Sequence, residues 1–182
     1  MPIPPFVSSP RAAIMAVFAA FGSAVGALSG SIPTVTAAAG VDSLSLGLAI
    51  TLSTVATVAV AVIGGALGRL INSRTALLWA LPAFALAMAL LLTSTSAAMF
   101  FSSFIGVGLI IGLVDIYMNA EGTTIERDLG KPIFSAIHGC VSAGVLVMAI
   151  LSSYLSTQVG PWATAAVIGI CFAMSWELVR RI

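Results

Sequence analysis

Six long apolar runs, separated by short polar breaks, dominate the pattern of hydrophobic and polar positions along the chain. A helix of about 20 apolar residues crosses the roughly 30 Å hydrocarbon core of a bilayer, and each run meets or approaches that length. The pattern therefore predicts an all-α, polytopic membrane protein in which residues 1–182 form a single transmembrane domain. The predicted helices cover residues 12–32, 44–67, 75–92, 97–120, 133–155 and 162–179. Pro33 is expected to follow the end of the first helix, and Pro82 to kink the third.

The composition agrees with a chain embedded in lipid. Hydrophobic residues make up 60% of it and charged residues 7%, against about 25% charged in soluble domains. A formal net charge of +1 leaves no basic footprint for nucleic acid, so the first expected partner is the lipid bilayer. One histidine and two distant cysteines, Cys140 and Cys171, do not have the spacing of a zinc site, and no enzyme or phosphate-binding motif occurs. We therefore expect no cofactor, no metal and no enzymatic activity.

The basic residues fall at four points of the chain that six spans would bring to one side of the membrane. They are Arg11, Arg69, Arg74, Arg127, Lys131, Arg180 and Arg181. The other side carries Asp42 and no basic residue. Because Lys and Arg are enriched on the cytoplasmic side of membrane proteins, this distribution predicts six spans with both termini cytoplasmic.

Glycines recur every four residues in three of the predicted helices. They are Gly22, Gly26 and Gly30, then Gly64 and Gly68, then Gly108 and Gly112. This spacing is typical of helices that approach closely in lipid, and packing is the interpretation that we favour. The functional alternative is that Gly22 and Gly26 line a solute pathway. Helices one to three and four to six start from opposite sides, and each triplet opens with a glycine-rich helix, which is typical of a 3+3 inverted repeat.

Polar side chains cluster within the predicted helices four and five. Asp115 and Asn119 share one face of helix four, and His138 and Ser142 share one face of helix five. Ionisable residues inside lipid-embedded helices are costly and usually mark a functional pathway. Since Asp115 and His138 lie at similar depths, we predict a polar contact between them across two neighbouring helices. With Asn119 and Ser142 they form the predicted substrate or proton pathway, because a buried carboxylate and an imidazole can both titrate near neutral pH.

A structural role is the alternative for these polar residues. A hydrogen bond between Asp115 and His138 would tie two helices together without taking part in transport. Ser142, like Ser135, can donate back to the backbone of its own helix.

Charged residues also gather in the connections that follow predicted helices two and four. The candidate conformational loop consists of Gly65, Gly68, Arg69 and Arg74 in the first connection and Glu126 and Arg127 in the second. A solvated, salt-bridged loop is the favoured interpretation of the second connection. The alternative is a latch of ion pairs between the two connections. Exposed pairs contribute about 0–1 kcal/mol each, so a latch would need several of them or partial burial.

The stretch from helix four to helix five resembles the N-terminal six-helix half of major facilitator superfamily transporters. The resemblance rests on residues 112–122 (GLVDIYMNAEG), on Glu126-Arg127 with Gly130-Lys131-Pro132, and on residues 135–144 (SAIHGCVSAG). The chain is most similar to the uncharacterised bacterial inner-membrane branch near the fucose permeases, and the likeness covers essentially all of it. The resemblance implies half of a twelve-helix fold in the cell inner membrane.

The glycine-rich loop after helix two of the superfamily is matched in part, by Gly65, Leu67, Gly68 and Arg74. Arg69 stands where the family usually has an aspartate, and Asn72 stands where it has the second glycine. These departures put the family's usual latch in this loop in doubt.

The resemblance implies membrane transport of a small polar solute by alternating access. It also implies a partner, either a second six-helix half or a second copy of the chain. Proton coupling is compatible with the Asp115 and His138 pair. The alternative function is that of a non-transporting membrane interaction or regulatory half-protein, which the departures at Arg69 and Asn72 favour.

Overall fold

The computed structural model describes residues 9–67 and 71–181, apart from the side chains of residues 65–67. Within those ranges the chain forms six α-helices, each long and apolar enough to cross a membrane. They are α1 (Pro10–Ala39), α2 (Ser43–Leu67), α3 (Ser73–Leu92), α4 (Ala97–Leu129), α5 (Phe134–Gln158) and α6 (Pro161–Arg180). The protein is therefore all-α and a multi-pass membrane protein, which confirms the predicted type and number of helices.

Two helices extend well beyond their predicted ends. α1 continues through Pro33, and α4 continues past Ala120 to Leu129. Each then stops at a glycine in the left-handed conformation, Gly40 with φ 67° and Gly130 with φ 59°, where a side chain would be strained. The two predicted ends are wrong because the prediction places one at a proline and the other where the apolar run ends. Helical hydrogen bonding instead continues until a glycine can adopt the left-handed conformation that ends a helix. The other ends lie within three residues of the prediction.

Polar side chains cap the first turns of four helices. Ser9, Asn72 and Ser96 accept backbone N–H groups of α1, α3 and α4, and Asp42 accepts the Ser45 N–H of α2 at 2.8 Å. Hydrogen bonding from the Ser45 side chain, with a smaller contribution from its backbone N–H, holds the pKa of Asp42 below its usual 3.8. These caps stabilise helix starts, because the first N–H groups of a helix have no partner within it.

α1 and α4 are the central helices of the bundle. α1 packs against α5 and α6, α4 packs against α2 and α3, and α3 packs against α6. α1 and α4 also touch each other, whereas α4 and α5 barely meet. The expectation that helices four and five are neighbours is therefore wrong, because α1 occupies the place beside α5.

The closest contacts between helices occur at glycines. A methyl group added to Gly22 or Gly26 of α1 would lie 2.8 Å or 2.9 Å from the carbonyl carbon of Val141 or Val145 in α5. Gly108 of α4 approaches the backbone of α2 in the same way. No side chain fits at such distances, so these glycines allow the backbones to touch.

A hydrogen bond between helices accompanies the contacts at Gly26 and Gly108. The Ser152 hydroxyl of α5 donates to the Gly26 carbonyl at 3.4 Å. The Thr57 hydroxyl of α2 donates to the Gly108 carbonyl at 2.8 Å. Such bonds average about 0.6 kcal/mol in a membrane protein, so close packing is the larger contribution to these two helix pairs.

Aromatic side chains fill the space between α1, α3 and α6. The Phe84 ring lies 5.0 Å from the Phe172 ring and 6.0 Å from the Phe21 ring, measured between centroids. Phe18, Phe84 and Phe172 are buried. The bundle therefore has an apolar interior of its own, and the polar groups that remain exposed on it need a separate explanation.

Candidate functional site

Asp115 and Asn119 lie together on α4, as their spacing predicts. The Asn119 side-chain amide donates to the Asp115 backbone carbonyl at 2.8 Å and to Asp115 Oδ1 at 3.2 Å. Asp115 lies near the middle of a helix of 33 residues, and its side chain is exposed. Asn119 thus orients a carboxylate that lies at membrane depth and remains accessible.

His138 and Ser142 are both exposed on α5. The His138 ring lies 5.5 Å from the Phe18 ring of α1 and 5.9 Å from the Phe134 ring, measured between centroids. These two rings hold the imidazole at the edge of the contact between α1 and α5. The Ser142 hydroxyl donates to the His138 carbonyl at 3.3 Å, which is the bond within one helix that its alternative interpretation predicts.

Asp115 and His138 do not contact each other. Within residues 9–67 and 71–181, Asp115 Oδ1 accepts from Asn119, whereas His138 packs against aromatic rings and makes no hydrogen bond with its imidazole. The predicted polar contact between helices four and five is therefore wrong, because α5 packs mainly against α1 and barely meets α4.

One stripe of α1 nevertheless meets residues of both α4 and α5. Phe18, Val25 and Ser29 are spaced by seven and four residues, so they share one side of that helix. Phe18 packs against His138, while Val25 and Ser29 line a cleft together with Ile111 of α4. The α1 stripe therefore has the polar residues of α5 on one side and α4 on the other.

Asp115 is directed at the gap between α1 and α2. It follows Ile111, which faces α1, by one turn and Gly108, which faces α2, by two turns. We call the following set the open face: the polar residues Asp115, Asn119, His138 and Ser142, together with Val25 and Ser29, the exposed residues of the α1 stripe.

An apolar cleft of about 210 Å³ opens where α1, α2, α3 and α4 meet, and its wall residue Ile111 lies one helical turn from Asp115. Its walls include Leu28, Ile50, Phe84, Met88, Phe104 and Ile111. Among the lining residues Ser29 carries the one hydroxyl group, and that group donates to the Val25 carbonyl at 2.9 Å. The cleft can therefore bind an apolar group, but its side chains provide few hydrogen-bonding partners for a polar group.

Gly22 and Gly26 are covered by α5 and are not exposed on the open face. Both are buried where α1 touches the α5 backbone. Their place in the structure is explained by packing, the interpretation favoured from their spacing.

Arg74 binds backbone groups at the end of α6. Its Nε donates to the Val179 carbonyl at 3.0 Å, and its Nη2 donates to the Arg180 carbonyl at 2.9 Å. The last carbonyls of a helix have no partner within it, so the guanidinium completes them. Arg74 therefore ties the start of α3 to the end of α6.

Glu126 has the equivalent role at the start of α5. Its Oε2 accepts the backbone N–H of Ile133 at 2.6 Å and that of Phe134 at 3.0 Å. No residue at the start of α5 provides a side-chain cap, so a carboxylate from α4 replaces it. A negative charge at a helix N-terminus is also favourable for the helix dipole.

The two connections are not joined by an ion pair in the part of the chain that the structure describes. There the ion pairs link Glu177 to Arg180 at 2.9 Å and to Arg181 at 2.7 Å. The predicted latch and the predicted salt-bridged loop are both wrong for these residues, because Glu126 binds backbone and belongs to the last turns of α4, while Arg127 is exposed. Gly68 and Arg69 lie outside the described residues, as do the surroundings of Gly65.

Sequence reasoning misses one polar contact at the same end of the bundle. The Ser73 hydroxyl at the start of α3 donates to the Glu121 carboxylate of α4 through a short hydrogen bond. The contact is missed because helix four is predicted to end at Ala120, one residue before this glutamate. A capping glycine at position 130 is the signal that would have placed Glu121 within the helix.

Comparison of the chain with protein-family models, with curated proteins and with solved structures gives no match. The features of this chain that bear on its function are therefore the open face and the cleft beside it.

Proposed function

We propose that this chain is a six-helix half of a secondary transporter, of the major facilitator type, which moves a small solute with a polar group by alternating access. The observation that supports this most directly is the open face. Asp115 and His138 lie in membrane-spanning helices, yet the bundle leaves both exposed. Polar groups facing hydrocarbon cost several kcal/mol each, so these side chains are stable if they border a hydrophilic path.

A second unit covers the open face in this proposal. It is a second six-helix half or a second copy of the chain, and it supplies the opposite wall of the path. Asp115 and Asn119 contact the solute from α4, and His138 and Ser142 contact it from α5. Proton transfer, where it is coupled to transport, uses Asp115 and His138 as separate sites, because the two side chains do not meet.

The packing of the helices supports a 3+3 inverted repeat. Exchanging α1–α3 with α4–α6 converts the contact of α1 with α5 into that of α4 with α2, and the contact of α1 with α6 into that of α4 with α3. All four contacts occur, and the pairs α3–α6 and α1–α4 are converted into themselves. Gly26 and Gly108, which each accept a hydrogen bond from the neighbouring helix, occupy the first pair of contacts. Such repeats place the solute near the bilayer midplane, and Asp115 lies near the middle of α4.

The position of the basic residues supports an orientation with both termini in the cytoplasm. Arg74 binds the Arg180 carbonyl, so the connection between α2 and α3 lies beside the end of α6. We propose that this end of the bundle faces the cytoplasm and that the membrane is the cell inner membrane.

Uptake into vesicles tests the proposed function. Vesicles carrying the full chain, alone and with a candidate second half, are offered a panel of labelled sugars, amino acids and organic cations. Asp115→Asn and Asn119→Ala should each lower uptake at least about tenfold, which corresponds to about 1.4 kcal/mol of lost transition-state stabilisation. Asp128→Asn, an exposed carboxylate in the last turn of the same helix, should leave uptake unchanged. Uptake that survives the first two changes would remove the open face from the mechanism.

A non-transporting interaction or regulatory half-protein is the second candidate. The feature that favours it is the connection after α2, where Arg69 and Asn72 replace the aspartate and the glycine that transporter halves of this type usually have. This candidate predicts that a membrane partner binds the open face in the absence of any solute uptake, and that the vesicle experiment gives no signal with any second half.

A further inference from the structure

The chemistry of the cleft restricts the solute. The cleft holds about 210 Å³, and its walls are aliphatic and aromatic side chains such as Leu28, Met88 and Phe104. Its one hydroxyl, on Ser29, is already engaged with the Val25 carbonyl. A polyol placed here would lose its hydrogen bonds to water without replacement, which is unfavourable. The cleft therefore suits an apolar body rather than a sugar.

A single negative charge lies next to the cleft. Asp115 follows the cleft residue Ile111 by one helical turn, which is about 6 Å along the axis. Its carboxylate is exposed and is oriented by the Asn119 amide at 3.2 Å. Among the described residues, no arginine or lysine pairs with it, since the ion pairs there belong to Glu177. A carboxylate at this depth attracts a positively charged group.

The aromatic side chains of the cleft are compatible with a cation that has an apolar body. Phe84 and Phe104 both line the cleft. Aromatic rings stack against aromatic bodies, so they favour a ligand whose apolar body is aromatic.

We propose that the cleft and Asp115 together bind a monovalent organic cation, its apolar body in the cleft and its charged group against the carboxylate. This inference rests on the proposed transport function, because it names the class of solute for the same open face. It narrows the polar solute expected from the sequence to one with a cationic head and a body that makes few hydrogen bonds.

Binding of a matched pair of probes to the full chain in phosphatidylcholine nanodiscs tests this inference. Benzyltrimethylammonium carries the positive charge, and neopentylbenzene has the same shape with carbon in place of nitrogen. Binding to empty nanodiscs is subtracted for both. The protein should bind the cation at least about tenfold more tightly than its uncharged counterpart, a difference equal to about 1.4 kcal/mol.

Four variants separate the charge from the cleft. Asp115→Asn should remove the preference for the cation. Asp115→Glu keeps the negative charge and should keep the preference, which would show that the position tolerates substitution. Phe104→Ala should weaken binding of both probes, and Asp128→Asn should weaken neither. Equal binding of the two probes, or a preference for the uncharged one, overturns the inference and identifies the cleft as a place for a lipid acyl chain.

The outcomes also distinguish this inference from the proposed function. Cation binding that depends on Asp115 but is accompanied by no uptake supports the inference and contradicts transport. Uptake of an uncharged polyol that depends on Asp115, in a protein that shows no cation preference, supports transport and contradicts the inference.

Discussion

Pro82 leaves one backbone carbonyl of α3 without its helical hydrogen bond, and a side chain of α6 provides another donor. A proline has no N–H group, so the Leu78 carbonyl, four residues earlier, loses its donor within the helix. The Trp176 indole N–H donates to that carbonyl at 2.9 Å. In lipid a freed carbonyl has no water to bind, so this bond both satisfies the backbone and joins α3 to α6.

The coupling of these two residues is testable. Trp176→Phe should lower the free energy of unfolding in detergent by about 1–3 kcal/mol, because it leaves the Leu78 carbonyl unsatisfied. In a Pro82→Ala background the same change should cost less, because the N–H of the new alanine can bond to Leu78. Trp162→Phe, at an exposed tryptophan, is the control and should have a small effect. An identical cost of Trp176→Phe in both backgrounds would contradict the assignment.

At the scale of helices, close backbone approach determines which elements pair. α1 touches α5, and α4 touches α2, through glycines that face carbonyl groups of the neighbour. Burial of apolar surface cannot select partners in lipid, since the surrounding chains are equally apolar. The fit between helix backbones therefore selects the partners, and it places α1 and α4 at the centre of the bundle.

The contact between α1 and α5 should therefore be sensitive to one methyl group. Gly26→Ala forces an added carbon to within 2.9 Å of the Val145 carbonyl carbon and should destabilise the bundle by about 1–3 kcal/mol. Gly106→Ala in α4 is the matched control, because a methyl group there meets nothing within 4 Å. Thermal unfolding of both variants in the same detergent measures the difference. Equal midpoints would show that the α1–α5 contact adjusts without cost.

At the scale of the whole molecule, one end of the bundle is tied together by polar bonds. Ser73 links α3 to α4, Arg74 links α3 to α6, and Glu126 links α4 to α5. The basic residues that the structure describes also belong to this end, namely Arg11, Arg74, Arg127, Lys131, Arg180 and Arg181. The opposite end has Asp42 at the start of α2.

Accessibility labelling tests this arrangement in the membrane. In a variant without Cys140 and Cys171, single cysteines at Lys131 and Arg181 should react with a membrane-impermeant maleimide from one side. A cysteine at Asp42 should react from the other side. These positions are exposed, so lack of access does not confound the measurement. Reaction at Lys131 and Arg181 from opposite sides would exclude the proposed six-span orientation.

Parts of the candidate site follow from local spacing, and other parts do not. Asp115 and Asn119 meet because residues four apart share a helical face, and Ser142 bonds to the His138 carbonyl for the same reason. The pairing of Asp115 with His138 fails because it also requires that α4 and α5 be neighbours. Glu126 and Arg74 could be recognised as charged groups near helix ends, but their partners are backbone groups of other helices. The cleft depends on four helices and has no signature in any one of them.

The amino-acid sequence by itself determines that the chain forms six apolar helices, because hydrocarbon leaves a backbone few alternatives to satisfying its own hydrogen bonds. It also determines which side chains share one face of a helix, since that depends on the 3.6-residue period alone. The tertiary structure decides that α1 lies beside both α4 and α5, that Asp115 and His138 do not meet, and that an apolar cleft opens one helical turn from the carboxylate. The physical reason is that helix partners are selected by the fit of two surfaces distant in sequence, such as Gly26 against Val145, and no local pattern contains both surfaces.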